Sequence, residues 1–250
     1  LSETGWNALI ATLERFQISY SIHAVVPKLG ELIPETSLAH NNVMCIGSYS
    51  MRHVAARNGW TPGVFDLFTQ DFEQQRAHWG SHMLNAHAVV CSLQDAIFTE
   101  EQMFVRPVHD SKYFSGRVFS ANEFRAWQAT VCDPTATHGT SLRPDTKIQL
   151  SRPVQIYAEY RFWVVQGQLV TQSLYKRGKQ VIYASEVDQR VADFVKLRIQ
   201  EWEPHQAFVI DACDTADGIK IVEINTLNSS GFYAADVQRL VLALEETYSR

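Results

Sequence analysis

Ala207-Phe208-Val209-Ile210-Asp211-Ala212-Cys213-Asp214-Thr215-Ala216-Asp217-Gly218-Ile219-Lys220-Ile221-Val222-Glu223-Ile224-Asn225 is two apolar runs joined by a turn, with acids set where a strand should be dry. Asp-Gly between apolar runs marks a β-hairpin, because glycine accepts the left-handed backbone that a tight turn needs. A three-residue loop Ala216-Asp217-Gly218 pairs Thr215 with Ile219. Counting back from it sets Asp211 opposite Glu223 and Val209 opposite Asn225. One face then carries Phe208, Ile210, Ala212, Val222 and Ile224 and should pack on helices. The other face gathers Asp211, Glu223 and Asn225. Two carboxylates about 5 Å apart repel and lose hydration unless a cation compensates them. An all-oxygen donor set suits Mg2+. The alternative is two solvated acids on an open face with a capping Asn, which the flanking Val and Ile oppose.

A second hairpin turns through Gln166-Gly167. That loop pairs Val165 with Gln168, Arg161 with Gln172 and Glu159 with Leu174, and brings Arg161 and Lys176 to one face. Arg106 stands inside the apolar strand Phe104-Val105-Arg106-Pro107-Val108, and Lys112 follows in a loop ending Ser115-Gly116 that could close over a ligand. Arginine is costly to bury unpaired, whereas a polyphosphate accepts several such charges. Taken singly, each of these four cations fits a structural ion pair. Together, beside a carboxylate pair, they point to a metal–nucleotide site.

Composition sets the frame. With 250 residues and 46% hydrophobic content, the chain can fill one large core or two modest ones. Its formal net charge of −5 argues against a nucleic-acid partner bound by bulk electrostatics. No apolar run approaches the ~18–20 residues of a membrane span, and the start has no signal-peptide pattern. The expected class is a cytoplasmic globular protein with no membrane partner. Leu1 in place of Met leaves room for a preceding segment. Cys45, Cys91, Cys132 and Cys213 are scattered, without a CxxC pair, and read as small buried hydrophobes with Cys132 the most exposed.

Helical and strand signals alternate, which gives an α/β or α+β fold class. Trp6–Phe16 reads as a helix and Ile18–Val26 as extended, and Ser48–Asn58 is a helix closed by Gly59. A helix over Asp71–Leu84 and a strand at Ala88–Cys91 complete a small N-terminal α/β domain over residues 1–98. Ser120-Ala121-Asn122-Glu123 is a capping box opening a helix. Residues 132–146 read as a mobile connection, and Ser185 as the cap of a helix whose apolar positions run from Val187 to Trp202. Asn228-Ser229-Ser230-Gly231, before the last helix, could bind an anion or simply cap. His78 and His82 are four apart, but no HExxH carboxylate accompanies them, and they read as helix surface.

Five motifs in order resemble the ATP-grasp superfamily, and most of all its clade named for two arginines and one lysine. They are Phe-Val-Arg-Pro (104–107), Ser-Lys-x-x-x-Gly (111–116), Glu-Tyr-Arg-Phe (159–162), Phe-Val-Ile-Asp (208–211) and Glu-Ile-Asn (223–225). The resemblance covers roughly residues 99 to 240. It implies two α+β lobes sandwiching ATP after the small N-terminal domain, with a small lobe over 99–145 and a C-terminal lobe carrying the metal site over 146–250. It implies that Asp211, Glu223 and Asn225 hold Mg2+. Arg106, Lys112 and Glu159 would contact ATP, with adenine against a hinge at Gln149-Leu150-Ser151 held by backbone groups. Arg161, with Lys176, would act on the transferring phosphoryl group. Arg106 departs from the strand-end lysine of many ATP-grasp enzymes but matches the clade.

The implied chemistry is ATP- and Mg2+-dependent ligation of a small-molecule or peptide carboxylate to an amine or thiol through an acyl phosphate. Such a reaction needs positioned charge rather than a covalent nucleophile, so the lack of a GxSxG or Walker motif agrees with it. A non-catalytic ATP-sensing module would not need Arg161. A metal-dependent hydrolase would leave Arg106, Lys112 and Arg161 idle.

Overall fold

The structure is a computed structural model, described for residues 5–26, 29–36, 38, 40–67, 69–109, 114–135 and 142–249. In chain order, α1 (Trp6–Arg15) is followed by the short pair β1 (Ala24–Val25) and β2 (Leu32–Ile33), then β3 (Asn42–Met44), α2 (Arg52–Asn58) and β4 (Thr61–Gly63). Next come α3 (Phe72–Trp79), β5 (Val89–Ser92), β6 (Gln102–Pro107), β7 (Arg117–Ser120), α4 (Ala121–Cys132) and β8 (Lys147–Ser151). The last part holds β9 (Ile156–Val165), β10 (Gln168–Arg177), β11 (Gln180–Ala184), α5 (Gln189–Glu201), β12 (Ala207–Thr215), β13 (Gly218–Asn225) and α6 (Val237–Tyr248). Two compact units result, Leu1–Leu67 with Ile156–Arg250, and Phe68–Gln155.

The larger unit is built on the antiparallel sheet β11-β10-β9-β12-β13. Trp163, Val209, Leu227, Phe232 and Leu240 form its core with Leu9 of α1, and α1 packs on α6. Each such aliphatic or aromatic side chain contributes about 1.5–3 kcal/mol by leaving water. Helix α5 packs on β10, β12 and β13 with Val191, Val195 and Ile199 buried. It begins at Asp188, whose side chain accepts from Arg190 N, so the cap lies three residues beyond the Ser185 expected from the sequence.

The parallel pair β3–β4 is fastened to the rest of this unit chiefly through Asn228, with Asn42 of β3 also donating to Tyr248 O at 2.9 Å. Asn228, fully buried, accepts from Phe65 N at 2.7 Å and donates to Cys45 O at 2.5 Å and Gly63 O at 3.2 Å. Its segment is therefore a clasp rather than a helix cap, since Asp236 caps α6 by accepting from Arg239 N. Between Ile18 and Val26 only Ala24–Val25 forms a strand.

The smaller unit is the antiparallel sheet β5-β8-β6-β7 with α4. Val105, Phe119, Phe124, Ile148 and Leu150 fill its core, with Trp127 packed against them. The capping box is formed as read, with Glu123 N donating to Ser120 Oγ and Ser120 N to Glu123 Oε2. Sequence boundaries at 98 and 145 cut through this sheet, because β5 and β8 pair with each other across them. Alternation within a strand does not reveal which distant strand it will join. Among the described residues, no helix is long and apolar enough to cross a membrane.

Candidate active site

The acids and cations of the larger unit meet on one face of its sheet. Asp211 of β12 lies between Arg161 of β9 and Glu223 of β13, and Val209 lies opposite Asn225. This is the pairing counted from the sequence, reached by a different route. The turn pairs Thr215 with Gly218, one residue tighter than expected, and a bulge at Val222 restores the register before the acids. The β9–β10 hairpin differs more. Two bulges, at Val170 and Tyr175, set Arg161 opposite Ser173 and Glu159 opposite Lys176, in place of Gln172 and Leu174. A bulge re-aims side chains near a functional site, and here it puts Lys176 against Glu159.

Arg161 and Asp211 form a two-pronged ion pair, with Nε donating to Oδ1 and Nη2 to Oδ2, both at 2.8 Å. Arg161 is 9% exposed and Asp211 1%, so the pair is screened little by solvent. Burial alone would lower the guanidinium's pKa, but the charge and hydrogen bonds of Asp211 outweigh it and hold the group above its ordinary value. Asn225 Nδ2 donates to Asp211 Oδ2 at 3.1 Å and to Glu223 Oε1 at 3.3 Å. Lys176 Nζ reaches Glu159 Oε1 at 2.5 Å, and Tyr175 donates to the other oxygen of Glu159 at 3.1 Å.

Three tyrosines, which sequence reasoning missed, complete the arrangement. The Tyr233 ring is stacked between Tyr175 and Tyr183, with centroids 5.1 Å away on each side. The Arg161 guanidinium lies 4.9 Å from the Tyr233 centroid and 5.7 Å from that of Tyr175. Burial pushes the Tyr175 phenol well above the ordinary tyrosine value, and the charges of Asp211 and Glu159 add to it, so Tyr175 stays a donor. Tyr233 has a φ of 51°, an uncommon conformation for a residue with a side chain. Its loop is tied to β10, with Ala234 N donating to Ser173 Oγ and Asp236 N to Thr171 Oγ1. No periodicity marks these rings. Only the bulge at Tyr175 and the loop anchors place them.

Residues 56–244 match the family model for the ATP-grasp domain of the clade named for two arginines and one lysine, family 3. The chain belongs to this clade. In overall fold the ATP-grasp chain is similar to a D-alanine–D-alanine ligase from Bacillus anthracis, at 10% identity and a TM-score of 0.50 over 71% of this chain. It spans 62% of that ligase's length. It is also similar to a RimK domain protein ATP-grasp from Sphaerobacter thermophilus, at 14% identity and a TM-score of 0.57 over 90% of this chain and 87% of that one. A search of curated proteins found no match.

The other expected ATP-grasp residues lie in the smaller unit. Arg106 of β6 is opposite Gln149 of β8. Gln149 and Leu150 are paired on both sides, to β5 and to β6, so their backbone groups belong to the sheet. The polar atom Gln149 leaves over is its side-chain Oε1, on a residue 3% exposed and without a hydrogen-bond partner among the described residues. Leu150 is core, and Ser151 Oγ donates to Asn85 Oδ1. Lys112 and residues 136–141 of the expected connection lie outside the described residues.

The donors fit a divalent cation. Asn225 Nδ2 stands within reach of a carboxylate oxygen of both Asp211 and Glu223, where positive charge is wanted. Rotation of that amide would present its oxygen to a metal instead. Among the described residues, no group of three or more His, Cys, Asp or Glu is placed to hold a metal. An amide-completed set of two carboxylates is the arrangement on offer, and it suits Mg2+, which keeps several of its waters.

Proposed function

We propose that this chain is an ATP- and Mg2+-dependent ligase that joins a carboxylate to an amine or a thiol through an acyl phosphate. The observation that carries the reading is the Arg161–Asp211–Asn225–Glu223 cluster on one sheet face, with Lys176 held beside it by Glu159. In the first step, a carboxylate oxygen of the substrate attacks the γ-phosphorus of ATP and the bond to the β–γ bridging oxygen breaks, releasing ADP. In the second step, the amine or thiol attacks the acyl carbon, phosphate leaves with its electron pair, and the nucleophile loses a proton.

Arg161 spends Nε and Nη2 on Asp211, which fixes the guanidinium plane and leaves Nη1 to meet phosphoryl oxygens. A pre-oriented donor of this kind needs no rearrangement as charge develops in the transition state. Lys176 supplies a second cation, oriented by Glu159. Asp211, Glu223 and Asn225 would hold Mg2+, which when bound supplies neutralisation of the phosphate oxygens. Arg106 and Lys112 keep the phosphate-binding role the family resemblance implies, and Gln149 Oε1 is a buried acceptor for the base. The substrate is a small-molecule or peptide carboxylate.

Titration calorimetry should show ATP binding that depends on Mg2+. Asp211→Asn and Glu223→Gln remove charge while keeping shape and should abolish ADP release. Absence of Mg2+-dependent ATP binding would sink the proposal. Tight binding with no ADP formed over a broad panel of acids and amines would favour a non-catalytic nucleotide-binding module.

A further inference from the structure

The hairpin of β10 and β11 ends the five-stranded sheet at an outer strand, and the far side of β11 has no ladder partner among the described residues. Proteins usually protect such an edge with charge, bulges or brevity. Here the strand is five residues long and its ladder is irregular where Ile182 and Tyr183 face Tyr175, yet its middle, Val181-Ile182-Tyr183, is apolar, with Val181 66% and Tyr183 46% exposed. Val181 is paired with Lys176, and Tyr183 stacks on Tyr233, so both lie on the face that carries Arg161. At the turn, Arg177 and Lys179 are exposed, and neither enters an ion pair among the described residues. Free backbone groups, an apolar strip and unneutralised positive charge therefore run together. The tyrosine column connects them to Arg161.

We propose that the β11 edge docks an extended, acidic peptide as an added strand, and that this peptide carries the carboxylate to be activated. The inference rests on the ligase reading above and names its substrate class. Backbone hydrogen bonds to β11 give affinity, alternate side chains lie along Val181 and Tyr183, and acids at one end meet Arg177 and Lys179. Strands spaced about 4.8 Å apart put the docked segment about 14 Å from β9, across three spacings. At about 3.3 Å per extended residue, the reacting carboxylate belongs about four residues from the docked stretch. The docked strand is then a handle, separate in sequence from the residue modified.

The test uses the whole chain and a fluorescein-labelled peptide of alternating valine and threonine with two terminal glutamates, and a lysine-ended version as control. Anisotropy is read without nucleotide, and amide hydrogen exchange is followed over residues 180–184. The acidic peptide should bind, slow exchange in that segment, and bind more weakly as salt rises. Lys179→Glu should weaken it about fivefold, the reach of one exposed charge pair. Val181→Pro should abolish the exchange protection, and Lys179→Glu still decides the matter if the proline variant misfolds. Equal binding of the lysine-ended peptide, or unchanged exchange over 180–184, overturns the proposal. So does a dimer in light scattering that Val181→Pro converts to monomer, because the edge would then belong to a second copy. The same samples are titrated with Mg2+ and ATP. Lost peptide binding with intact ATP binding sinks this inference alone, whereas lost ATP binding with intact peptide binding sinks the ligase reading and with it the peptide's role as substrate, leaving only the docking edge.

Discussion

Replacing Asp211 by Asn tests the centre of the site, and the structure sets the size of the effect. The change keeps the side-chain shape and leaves a guanidinium that is 9% exposed without its counter-charge. Removing one partner of a buried pair costs about 3–5 kcal/mol. Opposite charges about 4 Å apart at an effective dielectric near 20 interact by about 4 kcal/mol, in the same range. Asn retains one oxygen for one Arg161 donor, so a neutral bond worth about 1 kcal/mol survives. The expected loss is about 3 kcal/mol, or about 6–12 °C in Tm for a chain of this size. Calorimetry and urea unfolding followed by circular dichroism would measure it. Arg161→Met should cost a similar amount by stranding Asp211. The double variant should cost clearly less than the sum, with a coupling of about 2 kcal/mol or more. Single losses below about 1 kcal/mol, or strict additivity, would refute the buried-pair argument.

Other outcomes follow from neighbouring features. Asn228→Ala strands Phe65 N, Cys45 O and Gly63 O, and should destabilise the larger unit by about 3 kcal/mol or more in thermal unfolding, with Asn228→Asp also poor because it lacks the donor. His205, packed edge-on against Phe65, has its pKa lowered chiefly by burial. Its contribution to stability is therefore complete above the ordinary histidine pKa and lost as pH falls from there through the lowered value; a His205→Gln variant should show a flatter stability profile between pH 7 and 5, within about the histidine range. Burial pushes the Cys45 and Cys213 thiols up to about 11 and about 12. At pH near 8 a thiol reagent should label half-buried Cys91 and Cys132 well before those two, which should react only on unfolding. Ser120→Ala should lower the stability of the smaller unit by about 1 kcal/mol through loss of its helix cap.

Much of the fold and site can be read from residue order. Alternation puts Glu223 and Asn225 on one face of β13, because strand side chains repeat every second residue, and the bulge at Val222 is what brings that face level with Asp211 of β12. The capping box and the helix end at Gly59 follow from local backbone chemistry. The motifs from Phe104 to Asn225 carry the clade. Three things were settled only in three dimensions. The bulges at Val170, Tyr175 and Val222 are set by cross-strand packing, and no count of alternating residues reveals an inserted one. They decide that Glu159 meets Lys176. The union of Arg161 with Asp211, 50 residues apart, depends on β9 choosing β12 as its neighbour, and local pattern is silent on that choice. The tyrosine column and the Asn228 clasp likewise join segments that meet only after collapse. Local periodicity determined which side chains share a face; long-range pairing determined which of them touch.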